Sequence, residues 1–366
     1  MLLAYFVYLS ILAVVLSFGW ITVQTKPTTY TVCRGDILIP ILFVSLLMGM
    51  RYAVGTDWEN YRIFYESIKR AYDVSTSGLE PLYTCLNQWI AWCEAPYETL
   101  FFVVMLLHLI LFYQSFDRHV FLLPLGIYFY FTTLFFSSLN IQRQTLSFCI
   151  FLFSVRYLID RRLFPYMLCA LAATLVHYSS VILFPIYLLG YAFFNFLNKK
   201  WVQLGLYVFS FFVGTYLFQL ILDVLSEHIT NAKYINTLKL LGSMEMEVNT
   251  GLGLIASAGI DICLILSASK LSKVYRVYHY DILFRIFFIG VLLSNALGLD
   301  LFLSRVPFVL ESLRFLLLAF WVYYLLEIRR TLWNCCCGVI VIGIYFCMFI
   351  AAISHGHAGC SPFQFA

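Results

Sequence analysis

"RRLFPYMLCALAATLVHYSSVILFPIYLLGYAFFNFLNKK", residues 161–200, runs from one basic pair to another with neither an acid nor a further Lys or Arg between them. About 20 apolar residues suffice to cross the hydrocarbon core, so this run is too long for one crossing. Short cytoplasmic loops collect Lys and Arg. If Arg161 and Arg162 share that side with Lys199 and Lys200, the chain between them crosses an even number of times. The reading is therefore two spans, 163–176 and 178–197, with His177 at a turn on the opposite face.

Working outward, windows of about 20 apolar residues give further spans at 2–23, 36–50, 98–115, 120–138, 142–159, 201–224, 251–269, 281–299, 306–327 and 332–353. The expectation is an all-α polytopic membrane protein of about 12 transmembrane helices. Lys26, Arg34, Arg118, Lys270, Lys273, Arg276, Arg329 and Arg330 fall in the short connections that this topology makes cytoplasmic. The two long intervals, 51–97 and 225–250, are poorer in Lys and Arg than in acids and are read as extracytoplasmic loops, with both ends of the sequence on their side.

Composition agrees. The 366 residues are 62% hydrophobic and only 11% charged, with a mean hydropathy of +0.88, whereas a soluble domain carries about 25% charged residues. A single membrane-embedded domain, 1–366, is expected, since no interval suggests a separate soluble one. The net charge of +4 is too small and too scattered to suggest nucleic acid. Most of the eleven cysteines lie in or beside apolar runs, where cysteine acts as a small hydrophobe. Cys85 and Cys93, eight residues apart, would be about 12 Å apart on a helix, too far to bridge. No metal-ligand spacing is present, and no cofactor is called for. Residues 1–23 lack a basic leader and a small-residue cleavage site, so they read as a retained span.

This topology gathers distant residues at the outer face. "MRYAVGTDWENY", residues 50–61, places Arg51, the turn Gly55, Thr56 and Asp57, and the rings of Tyr52, Trp58 and Tyr61 where a span ends. Arg143 and Gln144 open the span at 142, and Arg305 begins the one at 306. Arg314 is expected three turns into that span, with Glu311 one turn back on the same face. Each has a bland reading: Arg51 and Arg305 as interfacial snorkels, His177 as a satisfied turn histidine, Arg314 with Glu311 as an ion pair, Asp57 as a helix cap, and Asp261 as an interhelical partner. Taken together, several cations on a face where topology requires none suggest an anion site. A diphosphate at the membrane surface suits guanidinium forks. Arginines would take up charge on a departing phosphate oxygen, while Asp57, Glu80 or His177 would serve as base toward an acceptor hydroxyl. Trp58, Tyr61 and Tyr83 would stack on sugars.

The ordered set "RYAVGTDWENY", "LEPLYTCLNQWI", "SSLNIQRQTLSF", "ATLVHYSSVILFPIYLL" and "LSRVPFVLESLRF" resembles the EpsG family of bacterial polysaccharide polymerases, which are similar in role to the Wzy O-antigen and capsule polymerases. The resemblance implies polymerisation of undecaprenyl-diphosphate-linked repeat units at the outer face of the bacterial inner (cytoplasmic) membrane, on a GT-C-like scaffold. Its partners would be the lipid-linked oligosaccharide, membrane lipid and a chain-length regulator protein. Carried over to this sequence, it marks Arg51, Gly55, Thr56, Asp57, Tyr61, Glu80, Arg143, Gln144, His177 and Arg305 as site residues. Arg305 departs from the family pattern, because Val-Pro-Phe-Val-Leu-Glu follows it rather than a Tyr-Tyr-Phe-like stretch. Two alternatives are a flippase, which would place repeats and charges along a path through the midplane, and a membrane sugar O-acyltransferase, which would need a cytoplasmic acyl-donor route.

Overall fold

A computed structural model describes residues 1–26, 29–71, 80–189, 199–228, 252–297 and 305–366. Among these the chain is helical without strands, apart from an isolated antiparallel bridge between Arg51 and Phe365. Six helices among the described residues are long and apolar enough to cross a membrane, and four shorter apolar helices accompany them. The protein is an all-α polytopic membrane protein. By contacts the chain divides into two compact units, Met1–Tyr191 with Ser312–Ala366, and Ala192–Glu311.

In the first unit, α1 (Leu2–Gln24), α2 (Gly35–Gly49), α3 (Trp58–Ala71), α4 (Pro81–Trp92) and α5 (Tyr97–Gln114) precede α6 (Leu123–Thr133), α7 (Phe135–Asn140), α8 (Gln142–Ile159), α9 (Leu163–Val176) and α10 (Leu183–Leu189). The central packing is α8 on α9, α5 on α2 and α8, and α6 on α1. The interval expected as a loop after Met50 folds into the two helices α3 and α4. In α3, Trp58, Tyr61, Tyr65 and Ile68 recur at helical spacing and are buried, while Glu59, Arg62 and Lys69 take the other face. In α4, Tyr83, Asn87 and Ile90 form the buried face. These rings join Leu100, Phe101 and Val104 of α5, Leu146 of α8 and Val176 of α9 in one cluster. Each large side chain so buried contributes on the order of 1.5–3 kcal/mol, which ties the two short helices to the long ones.

Several span boundaries differ from expectation. The stretch 120–138 is not one helix: a 3₁₀ turn, Val120–Leu122, leads into α6, and Leu134 separates α6 from α7. The span 306–327 is broken at Ser312 and Leu313. Arg314 is the first residue after that break, within the apolar stretch Arg305–Ile328, which as a whole remains long enough to cross a membrane. Apolar side chains on all sides of these segments hide such breaks, because the hydrophobic pattern does not change across them. At His177, by contrast, α9 stops in extended backbone (φ −155°, ψ 118°) before a 3₁₀ turn, Tyr178–Ile182.

The second unit holds α11 (Lys200–His228), α12 (Leu252–Val274), α13 (Tyr280–Leu297) and α14 (Arg305–Glu311). Here α11 continues through 225–228, which had been assigned to a loop, and residues 229–250 lie outside the described residues. Gly214 permits the closest approach, since a Cβ there would meet the carbonyl oxygen of Asn295 at 2.2 Å. The first unit is completed by α15 (Arg314–Tyr323), which packs on α6, and α16 (Leu332–Ser354).

Candidate active site

Glu80 stands immediately before Pro81, as the N-cap of α4, yet its carboxylate does not cap that helix. It reaches across to two other helices. Glu80 Oε1 accepts from Nδ1 of His177 at 2.7 Å, and Oε2 pairs with Nη1 of Arg143 in the first turn of α8. The three residues are 63 and 97 positions apart in sequence. Glu80 is only 4% exposed. Burial raises its pKa, but the hydrogen bond from His177 and the charge of Arg143 outweigh that and bring it down to about 2. Glu80 is therefore a carboxylate at neutral pH, and a poor base.

Because that carboxylate can only accept, Nδ1 of His177 carries the hydrogen in this bond. Among the described residues Nε2 of His177 is buried and has no hydrogen-bond partner. In the neutral imidazole it holds the lone pair, so the pair Glu80 and His177 presents an oriented base. The Arg143 guanidinium lies 5.9 Å from the ring centres of both Tyr61 and Tyr83, and its Nε has no partner among the described residues.

Beside this cluster is the turn of residues 50–57. Gly55 has φ +102°, and a Cβ on it would meet the carbonyl oxygen of Leu139 at 2.6 Å, so glycine is required there by both conformation and space. Asn140 holds the turn: its Oδ1 accepts from the Thr56 hydroxyl at 2.5 Å and from the Asp57 amide at 2.8 Å. No hydrogen bond or ion pair engages the Asp57 carboxylate among the described residues, so the expected alternative of a helix cap is not realised. Burial pushes the Tyr61 hydroxyl up, while the charge of Arg143 draws it down and that of Asp57 raises it again.

Arg51 is not an interfacial snorkel. It is 1% exposed, donates from Nη2 to the Leu139 carbonyl at 3.0 Å, and lies 4.8 Å over the Phe101 ring. Trp58 also turns inward: its ring stacks near Phe101 and meets Tyr97 edge-on, and Nε1 donates to the Arg51 carbonyl at 3.2 Å. Its ring is committed to the core. Tyr61 and Tyr83 are similarly buried but flank Arg143. Gln144 is buried on one side of Arg143 in sequence, and on the other the amide of Gln142 is buried without a partner among the described residues. Arg305 belongs to the second unit, and Arg314 is not among the partners of Glu80.

Residues 355–366, to which no site role was assigned, complete the turn. Gly55 N–H donates to Gly359 O at 2.9 Å, Thr56 N–H to Ala358 O at 3.2 Å, Tyr52 N–H to Gln364 O at 2.9 Å and Ala366 N–H to Met50 O at 2.8 Å. Tyr8 of α1 donates to Cys360 O at 2.8 Å. The glycines at 356 and 359 after a long apolar span were the available signal, together with Asn140 directly before the Gln-Arg-Gln element.

These features define a class: a polytopic helical membrane protein in which the short helix α4 brings a buried carboxylate to a guanidinium at the start of α8 and an oriented imidazole at the end of α9. Within that class the chain belongs to the EpsG family, matched over residues 37–365, a Wzy-type polysaccharide polymerase-like family. The matched region includes the turn, the Glu80 cluster and nearly all of the C-terminal segment. No curated protein and no solved structure matches the chain.

Proposed function

We propose that this protein polymerises undecaprenyl-diphosphate-linked oligosaccharide repeat units at the outer face of the bacterial inner membrane. It would do so on a GT-C-like scaffold of about 12 crossings, transferring the growing glycan from its lipid diphosphate to the acceptor sugar of another unit. Family membership supports the polymerase-like role. The observation that carries the chemistry is the Glu80–His177 pair beside Arg143.

In the reaction, Nε2 of His177 takes the proton of the acceptor hydroxyl as that oxygen bonds to the anomeric carbon. The bond from that carbon to the diphosphate breaks, and the lipid diphosphate leaves with its electron pair. Glu80 holds the imidazole and stabilises its charged form. Arg143, whose Nε is left without a partner among the described residues, takes up charge on the departing oxygen. Asp57 supplies a second carboxylate for the acceptor sugar. The chain-length regulator is a partner of this reading.

The decisive experiment deletes the gene and examines the lipid-linked glycan. Accumulation of single lipid-linked units with loss of long chains is expected. Loss of all surface units would indicate a flippase, and normal chain length lacking only an acyl group would indicate an acyltransferase.

Two variants refine the roles. Arg143→Lys keeps the charge but loses the planar fork, so polymerisation should fall by about tenfold or more, and normal chain length would remove the fork from the mechanism. Asp57→Asn touches no hydrogen bond of its carboxylate. Thermal stability should thus stay within about 0.5 kcal/mol while chains shorten; unchanged chain length would assign Asp57 no role in acceptor binding.

A further inference from the structure

The second unit carries a basic cavity unrelated to the Glu80 cluster. It occupies about 490 Å3 where the first turn of α11, the last turns of α12, the connection after it and the start of α13 converge. Gln203, Ser269, Ser272, Lys273, Arg276 and Arg285 contribute the polar groups used here. Asp281, the acid of the lining, pairs with Arg285 at 3.2 Å. Among the described residues Lys273 and Arg276 have no carboxylate partner. The cavity therefore combines two uncompensated cations with hydroxyl and amide donors, the set that recognises phosphate oxygens.

Its surroundings are those of a membrane interface. Trp201, two residues before Gln203, is 72% exposed, and Val277, between Arg276 and Tyr278, is 83% exposed. The Lys200 ammonium sits 5.1 Å from the Trp201 ring. Exposed rings beside lysines mark the level of lipid headgroups, and basic pockets between spanning helices bind anionic headgroups. The Lys and Arg asymmetry of the short loops assigns this end to the cytoplasmic side.

We propose that this cavity binds a phosphate group, supplied by an anionic phospholipid or by soluble phosphate. Lys273 and Arg276 take the charge, and Gln203, Ser269 and Ser272 donate to the remaining oxygens. The proposal is independent of the polymerase reading, and a thermal measurement on the detergent-solubilised full chain, depleted of lipid, tests it without any activity assay. Phosphatidylglycerol is expected to raise the unfolding midpoint by a few degrees, as saturating ligands do, while phosphatidylcholine is not. Should inorganic phosphate reproduce the rise, the source is soluble phosphate; should only the lipid do so, it is the headgroup. Lys273→Gln with Arg276→Gln, both exposed positions that tolerate change, should abolish the rise and leave the unliganded midpoint unchanged. Ser272→Phe, which fills the cavity and keeps both charges, should abolish it as well. An equal rise in either variant, or no rise from lipid or phosphate in the wild type, overturns the assignment.

Discussion

Glu80→Gln should eliminate long chains while the protein remains in the membrane. The substitution preserves shape, and the amide oxygen can still accept from Nδ1 of His177. What disappears is the negative charge that stabilises the imidazolium as it forms and that holds Arg143. General base contributions of this kind are worth about 10²–10⁴ in rate, so polymer synthesis should drop at least about a hundredfold. Stability should follow with a defined pH signature. Lowering the Glu80 pKa from its ordinary 4.5 to about 2 corresponds to on the order of 3 kcal/mol. Because the folded-state pKa is depressed, this stabilisation is fully present above pH 4.5 and is lost as pH falls toward 2. Thermal unfolding of the purified wild type and of Glu80→Gln should accordingly differ most at neutral pH and converge in acid. Wild-type chain length in the variant would reduce Glu80 to a structural ion-pair partner and remove the oriented base from the mechanism.

The second large effect is expected far along the chain, at Gly359→Ala. Gly359 has φ +69°, and a Cβ there would stand 2.8 Å from the Thr56 nitrogen and 3.0 Å from the Gly55 carbonyl carbon. Both neighbours are backbone, so no side chain can swing aside. A left-handed conformation costs an alanine roughly 1–2 kcal/mol, and displacing the segment breaks its bonds to Gly55 and Thr56 as well. A loss of about 2 kcal/mol or more, read as a midpoint lower by several degrees, should accompany short chains although no reactive group has changed. Ala358→Gly is the control: Ala358 already has φ 54°, so glycine there relieves strain and should leave both properties intact or improved. An unaffected Gly359→Ala protein would mean that the C-terminal segment does not hold the turn.

What local sequence could reveal is seen by comparing residues. The turn at Gly55 was legible because Gly-Thr-Asp between a span and an aromatic stretch has few other conformational uses. His177 stood out as a polar residue inside an otherwise uncharged run between basic pairs, and α9 ends there. Glu80 was a candidate base among others, but its partners were not legible. Pairing residues 63 and 97 positions apart depends on how α4, α8 and α9 pack, and no periodicity encodes that. Arg51 and Trp58 show the converse: residue type suggested ligand contact, whereas packing made them the inner supports of the turn. Asn140 and Gly359 escaped notice because each does its work on the backbone of a segment distant in sequence.

That last dependence sets a timetable. Gly55 and Gly359, whose backbones meet at 2.9 Å, leave the ribosome about 300 residues apart, a delay on the order of half a minute at ordinary rates of bacterial synthesis. During that interval Asn140 is already available to hold Thr56 and Asp57, and Glu80 can find Arg143 and His177. The turn nevertheless stays without the strand-like partner that Gln364 and Ala366 provide until α16 has been inserted. Chains halted before residue 355 would thus carry every proposed reacting group in a site still open on one side, and the site closes only when residues 355–366 dock.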